Sequence, residues 1–120
     1  EGRVQTEAIS KPFPFGHAWT GVSLGGKPFP GERPTLVVDD NLRGKGFGGC
    51  NTFSASMYPI KDQGFAVGPL AVTKRACDKA ISASEHALLL ALRMAQKWDL
   101  EAGRLVIKTS KGDIVFERAL

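Results

Sequence analysis

Two cysteines and two histidines are the side chains of this chain best suited to nucleophilic or metal chemistry. A zinc site needs about four ligands at close spacing, and neither Cys50 nor Cys77 is paired with His17 or His86 in such a pattern. A nucleophilic cysteine needs an adjacent base, and only the two histidines could serve. His86 falls on the first turn of a predicted helix and should face solvent. We therefore expect no metal site and no catalytic thiol.

Structural roles for Cys50 and Cys77 remain. If the chain is exported, a disulfide is favoured, because it would tie a glycine-containing strand turn to the start of a helix. Such a bridge closes a loop of about 27 residues and is worth about 3–4 kcal/mol in the chain-entropy model. Buried free thiols are the alternative.

Three further patterns have the residue types for cofactor binding or acid–base chemistry, but the residues around each of them do not fit that function. The run Gly44–Gly49 has the GxGxxG spacing of a dinucleotide turn, but an alternating strand follows it where a helix is required. The run Gly21–Lys27 has phosphate-loop spacing, yet Pro28 stands where a serine or threonine should hold magnesium. Asp39 and Asp40 are adjacent at a strand end and point to opposite faces. We expect no cofactor and no enzymatic activity.

Four residues near the cysteines form a candidate binding surface: Asn51, Thr73, Lys74 and Arg75. The Thr73–Lys74–Arg75 run could bind a phosphate or a partner's carboxylate, although a solvated face is the simpler interpretation. Asn51 is expected to hold the turn after Cys50 through side-chain-to-backbone hydrogen bonds.

Composition indicates one globular domain. The chain has 120 residues, of which 42% are hydrophobic and 23% charged, and it carries a net charge of +4. No run of Lys or Arg exceeds two residues, so a nucleic-acid partner is not expected. No apolar run approaches the roughly 18 residues of a transmembrane helix, and no signal-peptide core is present. We therefore expect a mature or trimmed chain, a monomer without a transmembrane segment, for which peripheral or lipid-anchored membrane association stays open.

Hydrophobic patterning predicts mostly strands. Residues 1–17, rich in Pro and Phe, are expected to be an arm or linker that Phe13 and Phe15 could attach to a domain of residues 18–120. Strands are predicted at Trp19–Leu24, Pro34–Asp39, Leu42–Phe47, Thr52–Tyr58 and Phe65–Val67, with a closing hairpin of Leu105–Thr109 and Ile114–Arg118.

A helix is predicted from Ser82 to Trp98. Ser82 and Glu85 have the spacing of a capping box, and Leu88, Leu92 and Trp98 fall on one face. The pattern indicates an α+β fold with few large side chains in the glycine-rich strands, so the helix should fill the interior.

An ordered set of motifs resembles the META/HslJ family of small bacterial envelope and heat-shock-associated domains. The set runs from Trp19 through Gly49–Asn51, Tyr58, Gly68–Ala71, Thr73, Lys74 and Cys77 to the leucine-rich helix and the closing hairpin. The resemblance covers about residues 18–120. It implies a curved, partly closed, mostly antiparallel barrel-like sheet packed around one helix, and its envelope setting favours the Cys50–Cys77 disulfide.

The resemblance also implies two kinds of function. The first is a non-enzymatic domain, exported to the periplasm or associated with the outer membrane, that acts in stress response or envelope integrity through binding. The alternative is a module that binds a hydrophobic ligand or a protein partner, like a secretion pilot or an inhibitor. A solvent-open cavity lined by residues such as Phe47, Phe53 or Trp98 would favour the alternative, and a packed interior would favour the first.

Overall fold

The structure is a computed structural model that describes residues 11–119. Its strands are β1 Ala18–Leu24, β2 Lys27–Pro28, β3 Thr35–Val38, β4 Arg43–Phe47, β5 Thr52–Ile60, β6 Gly64–Val67, β7 Ala71–Val72, β8 Ala95–Glu101, β9 Arg104–Thr109 and β10 Gly112–Arg118, and its α-helix α1 is Lys79–Arg93.

Eight of these strands form a closed antiparallel barrel. They follow the order β10-β9-β8-β6-β5-β4-β3-β1, and β1 pairs again with β10 to complete the circle. The two short strands are additions, since β2 pairs with the end of β1 and β7 pairs with β5. The predicted α+β class, with a barrel-like antiparallel sheet and one helix, is confirmed, and within residues 11–119 the barrel is closed rather than partly open.

The seam between β6 and β8 is held largely by side chains. Only Gly64 and Lys97 are paired in register there. The Nε2 amide of Gln63 donates to the carbonyl oxygen of Trp98 at 2.9 Å, and Lys97 Nζ donates to the carbonyl oxygen of Asp62 at 2.8 Å. Closure at this seam therefore depends on contacts between β8 and the turn that precedes β6.

Large apolar side chains fill the barrel. Those buried most completely are Leu36, Met57, Phe65, Leu105, Ile107, Ile114 and Phe116 from the strands and Leu88 and Leu92 from α1. Strand β4 contributes little volume of its own, because a side chain at Gly44 would overlap Met57 and one at Gly46 would overlap Phe53. Glycine in β4 is thus what allows its neighbours to fill the interior.

Helix α1 lies across one end of the barrel. The chain leaves β7 beside the start of β5, where Thr73 N donates to Thr52 O, and it resumes at Ala95 beside Thr109, at the end of β9. Both points are at the same end, so the helix between them covers that opening. Its inward face presents Leu88, Ala91 and Leu92, each at most 1% exposed.

The N-terminal segment covers the opposite end. Phe13 is buried, stacks on Phe65 with ring centroids 5.3 Å apart, and meets Trp98 edge-on at 5.0 Å. Lys11 Nζ donates to Asp99 Oδ1 at 2.6 Å, and its hydrogen bond lowers the pKa of the Asp99 carboxyl. Phe15 is half-buried against the same core, so both phenylalanines attach the described part of the arm, residues 11–17, to the barrel, while its residues 1–10 lie outside the described part of the chain.

The predicted helix boundaries were wrong. The helix begins at Lys79, and its N-cap is Asp78, whose Oδ1 accepts from Ile81 N at 3.0 Å. The capping box of Ser82 and Glu85 does not form, because Ser82 lies inside the helix, where its N–H donates to Asp78 O. Trp98, predicted on the helix, is instead buried in strand β8, which the sequence pattern did not predict.

Candidate binding site

The two cysteines form a disulfide between the β4–β5 turn and the start of α1. Their Cα atoms are 6.1 Å apart, inside the range of about 4.4–6.8 Å that a bridge allows. Cys50 is buried, whereas Cys77 lies in the exposed stretch of residues 71–80. The Cys50–Cys77 pairing expected from the sequence is confirmed.

A buried carboxylate stands behind this bridge. Glu85, on α1, accepts hydrogen bonds from Cys50 N at 2.9 Å and from Asn51 N at 2.5 Å. Its second oxygen accepts from Asn51 Nδ2 at 2.8 Å. The helix is therefore joined to the β4–β5 turn through three hydrogen bonds as well as through the disulfide.

Opposing effects set the pKa of Glu85. Burial is the largest, and it raises the pKa because it penalises the charged form. The hydrogen bonds from Asn51 and Cys50 favour that form and together outweigh burial, so the pKa of Glu85 lies below its ordinary value. The carboxylate is the form that the turn requires, since backbone N–H groups only donate.

Asn51 also binds the chain that follows β7. Its Oδ1 accepts from Thr73 Oγ1 at 3.0 Å and from Arg75 N at 2.5 Å. We refer to Cys50, Asn51, Thr73, Cys77 and Glu85 as the clasp. The clasp fixes an otherwise exposed segment, residues 73–77, against the barrel. The side chain of Asn51 thus bonds distant residues, whereas the amides of the turn after Cys50 donate to Glu85.

A groove of about 540 Å³ opens on the outer surface beside the clasp. It is lined by Lys45 and Gly46 of β4, Thr52, Phe53 and Ser54 of β5, and Ala71, Val72 and Thr73 in and after β7. Lys45 pairs in register with Ser54, which pairs in turn with Ala71, so a lysine and two small side chains lie side by side across three strands.

The four predicted surface residues divide between the clasp and the outer surface. Asn51 is 8% exposed and its polar side chain is engaged by Glu85, Thr73 and Arg75. Thr73 lines the groove, and the side chains of Lys74 and Arg75 are exposed. Sequence reasoning missed Lys45, Ser54 and Ala71. The alternation of apolar and polar residues along β5 places Ser54 outward, but nothing in the sequence pairs it with Lys45 and Ala71.

The residues considered for catalysis do not converge. His17 and His86 are both exposed, and Asp39 Oδ1 accepts from Asn41 N at 2.9 Å and from Arg43 N at 3.1 Å in its own turn. In the described range, His, Cys, Asp and Glu side chains form no group of three or more that could hold a metal ion. Likewise, no helix in residues 11–119 combines the length and apolarity needed to cross a bilayer.

Comparison with known sequences decides the family. The sequence model of the META domain matches residues 12–119. The chain belongs to the META domain family. The META match covers all of the barrel strands, α1 and Phe13, so the motifs around the two cysteines were a correct guide.

Solved structures share the fold of this META domain. One, an NMR structure of a protein from Burkholderia xenovorans, is 23% identical, has a TM-score of 0.69, and the match covers 99% of this chain and 98% of that one. Another NMR structure is 21% identical with a TM-score of 0.68, covering 84% and 87%. The crystal structure of a DUF4847 family protein from Bacteroides vulgatus is 15% identical with a TM-score of 0.63, covering 84% and 91%. No curated protein matches the chain.

Proposed function

We propose that this META domain is a non-enzymatic domain of the bacterial envelope, periplasmic or outer-membrane-associated, that acts in stress response or envelope integrity by binding a partner. The observation that supports this location is the Cys50–Cys77 disulfide. Disulfides persist in oxidising compartments such as the periplasm and are rare in the cytosol of mesophiles.

The packed interior favours a binding site on the outer surface of the barrel. The barrel is filled by its own side chains, with α1 across one end and Phe13 in the other. A ligand in the centre would have to displace them, at a cost of about 1.5–3 kcal/mol for each large apolar side chain exposed. The groove beside the clasp needs no such displacement, and its backbone is already fixed by a disulfide and five hydrogen bonds.

The alternative function, binding of a hydrophobic ligand or partner segment, finds support in one observation. A second cavity of about 380 Å³ lies beside the N-terminal segment, and its lining includes Phe13, Phe15, Ile60 and Trp98. An apolar group could enter there against Trp98. Phe13 is part of the lining and packs on Phe65 and Trp98, so entry deeper than this cavity requires the arm to shift.

The absence of turnover is part of the proposal. With both sulfur atoms in a disulfide, the described residues offer no thiolate, and neither exposed histidine is placed beside a nucleophile by any hydrogen bond described above. Generic esterase, phosphatase, peptidase and thiol-oxidoreductase substrates should give no rate above background. A rate that disappears with His86→Ala would contradict this part.

Affinity capture from an envelope extract tests the binding function. Tagged protein is compared with Lys45→Glu, which reverses a charge in the groove, and with Lys111→Glu, which makes the same change in the β9–β10 turn. We expect a protein that mass spectrometry finds with the wild type and with Lys111→Glu but not with Lys45→Glu. Identical captures from all three would contradict binding in the groove.

A further inference from the structure

The net charge of the chain resides in one part of the barrel. Residues 43–77 hold five basic side chains, Arg43, Lys45, Lys61, Lys74 and Arg75, and one acidic side chain, Asp62. Their balance is +4, which equals the net charge of the whole chain, so the remaining residues hold eleven basic and eleven acidic side chains and sum to zero. The positive charge that looks scattered in the sequence is therefore concentrated.

These residues form adjacent strands. The segment comprises β4, β5, β6 and β7, which are neighbours in the sheet. All five basic side chains are exposed, and among the described ion pairs none involves them. We refer to the outer surface of β4, β5 and β7 with residues 73–75 as the basic face. It contains the groove, whose lining includes a lysine and no acidic residue.

The basic face ends at a strand edge that is open for pairing. Among residues 11–119, strand β7 has β5 on one side and no strand on the other. Thr73 N donates to Thr52 O, so Thr52 and Thr73 form a hydrogen-bonded pair of this antiparallel ladder. Hydrogen-bonded pairs alternate along such a ladder, and the N–H and C=O of Val72 therefore point away from β5.

The side chains along this edge alternate in character. Ala71 lies beside Ser54 on the outer face, whereas Val72 is paired with Phe53 and directs its side chain to the opposite face, where it is 36% exposed. An added strand would place every second residue next to the basic groove and the others next to Val72. Because Ser54 and Ala71 are small, an acidic side chain from the added strand and Lys45 from β4 can extend over them toward each other.

We propose that the free edge of β7 binds an extended polypeptide segment of a partner protein, in which acidic residues alternate with apolar residues, by strand addition. The acidic side chains lie on the basic face near Lys45, Lys74 and Arg75, the apolar ones lie against Val72, and Val72 exchanges backbone hydrogen bonds with the added strand. This inference rests on the proposed binding function and names the class of its partner.

A basic face next to an unpaired strand edge favours an acidic polypeptide over other anionic partners. A cationic surface alone would attract an acidic polysaccharide or an anionic membrane equally well. Unpaired backbone N–H and C=O groups at a fixed strand edge, however, are complementary to another peptide backbone, as in other cases of β-strand addition. The clasp holds the chain directly after Val72 in place, so little ordering is needed when the segment binds.

Fluorescence anisotropy with a labelled peptide tests the inference. The probe is a capped eight-residue peptide of alternating Glu and Val, the matched peptide has Lys in place of Glu, and vesicles of phosphatidylglycerol are the membrane competitor. We expect the Glu peptide to bind the full chain, with Kd about fivefold to tenfold higher for Lys45→Glu and unchanged for Lys111→Glu. Binding should weaken as salt is raised.

Strand addition is tested separately from charge. The Val72 amide should become protected from hydrogen exchange when the Glu peptide binds the wild type. Val72→Pro removes this outward N–H and leaves the β5 ladder unchanged, so it should abolish binding. The proposal would be overturned if the Lys peptide bound as tightly as the Glu peptide, if Lys111→Glu weakened binding as much as Lys45→Glu, or if the Val72 amide stayed unprotected. It would also be overturned if the vesicles bound more tightly than the peptide and still bound the Val72→Pro variant. If the peptide fails while capture from the envelope still depends on Lys45, the proposed function stands and this inference falls.

Discussion

The carboxylate of Glu85 accepts hydrogen bonds from both amides of Asn51, the backbone N–H at 2.5 Å and the side-chain Nδ2 at 2.8 Å. The two residues are 34 positions apart in the chain. One lies on the helix that covers the barrel end, and the other lies in the turn that starts β5. Their contact joins the helix, the barrel and, through Asn51 Oδ1, the segment that follows β7.

The first prediction concerns Glu85→Gln. A glutamine keeps the shape but loses the charge. If its carbonyl oxygen accepts from the N–H groups of Cys50 and Asn51, its NH₂ group faces Asn51 Nδ2, which is also a donor. Unfolding by denaturant at pH 7 should show a loss of about 2 kcal/mol, the cost typical of weakened hydrogen bonds to a buried charged group.

The difference in stability between wild type and Glu85→Gln should become smaller at acidic pH. Because the pKa of Glu85 is lowered by folding, its carboxylate contributes stability above its ordinary pKa of 4.5, and this contribution is lost as pH falls through the lower folded pKa. The gap in unfolding free energy between wild type and Glu85→Gln should therefore narrow below about pH 4.5. A gap that is constant from pH 7 to pH 3 would show that the charge of Glu85 contributes nothing.

The second prediction concerns the helix as a cover for the barrel. Leu92 is fully buried, so Leu92→Ala should cost about 2–5 kcal/mol through the cavity it leaves. Leu90 lies on the same helix but is 42% exposed, and Leu90→Ala should stay within about 1 kcal/mol of the wild type. Equal losses in chemical denaturation would mean that α1 does not bury the face described.

The third prediction concerns the N-terminal segment. Phe13→Ala should cost about 3 kcal/mol, because it removes a ring packed between Phe65 and Trp98. Lys11→Ala removes an exposed ion pair with Asp99 and should change the stability by about 1 kcal/mol or less. Intrinsic fluorescence, to which Trp19 and Trp98 both contribute, provides a second measure, since Phe13 meets Trp98 edge-on and the spectrum should change only in the Phe13 variant. If Phe13→Ala left both the fluorescence spectrum and the stability unchanged, the N-terminal segment would not be part of the core.

The fourth prediction concerns the disulfide. Replacing both cysteines by serine should lower the stability by about 3.5 kcal/mol, the chain-entropy value for a separation of 27 residues. The hydrogen bonds of Asn51 to Thr73 and Arg75 remain in the variant, so residues 73–77 should loosen without full release. Amides of β9 and β10 should accelerate only as far as the loss in global stability requires, and the Arg75 amide should accelerate beyond that. An acceleration at Arg75 no larger than that in β9 and β10 would contradict this local role.

Most of the barrel could be predicted from the sequence because its strands alternate cleanly. The closing hairpin and β5, with Phe53, Ala55 and Met57 inward, followed their patterns. Strand β8 was not predicted, and the reason is physical. Its pairing with β9 shifts register between Ala95 and Lys97, and this irregularity interrupts the alternation of buried and exposed residues. Two of its apolar residues, Ala95 and Trp98, continue the helical spacing of Leu88 and Leu92.

The candidate site was less predictable because its contacts are long-range. Glu85 looked like a capping residue for Ser82, since local spacing cannot reveal a partner 34 residues away. The basic face likewise arises only when β4, β5 and β7 are placed side by side, which brings Lys45 next to Ser54 and Ala71. Local patterns identified the clasp's cysteines, whereas topology was needed to find the surface that the clasp supports.

The central claim is that the protein is a binding domain of the envelope with a Cys50–Cys77 disulfide. Its most direct test is thiol trapping in fractionated cells that produce the full-length natural protein. Free thiols are blocked with a maleimide at lysis, and the mass of the protein is measured in the cytoplasmic and envelope fractions. We predict protein in the envelope fraction with Cys50 and Cys77 unmodified by maleimide. Protein confined to the cytoplasmic fraction with both cysteines modified would contradict the account.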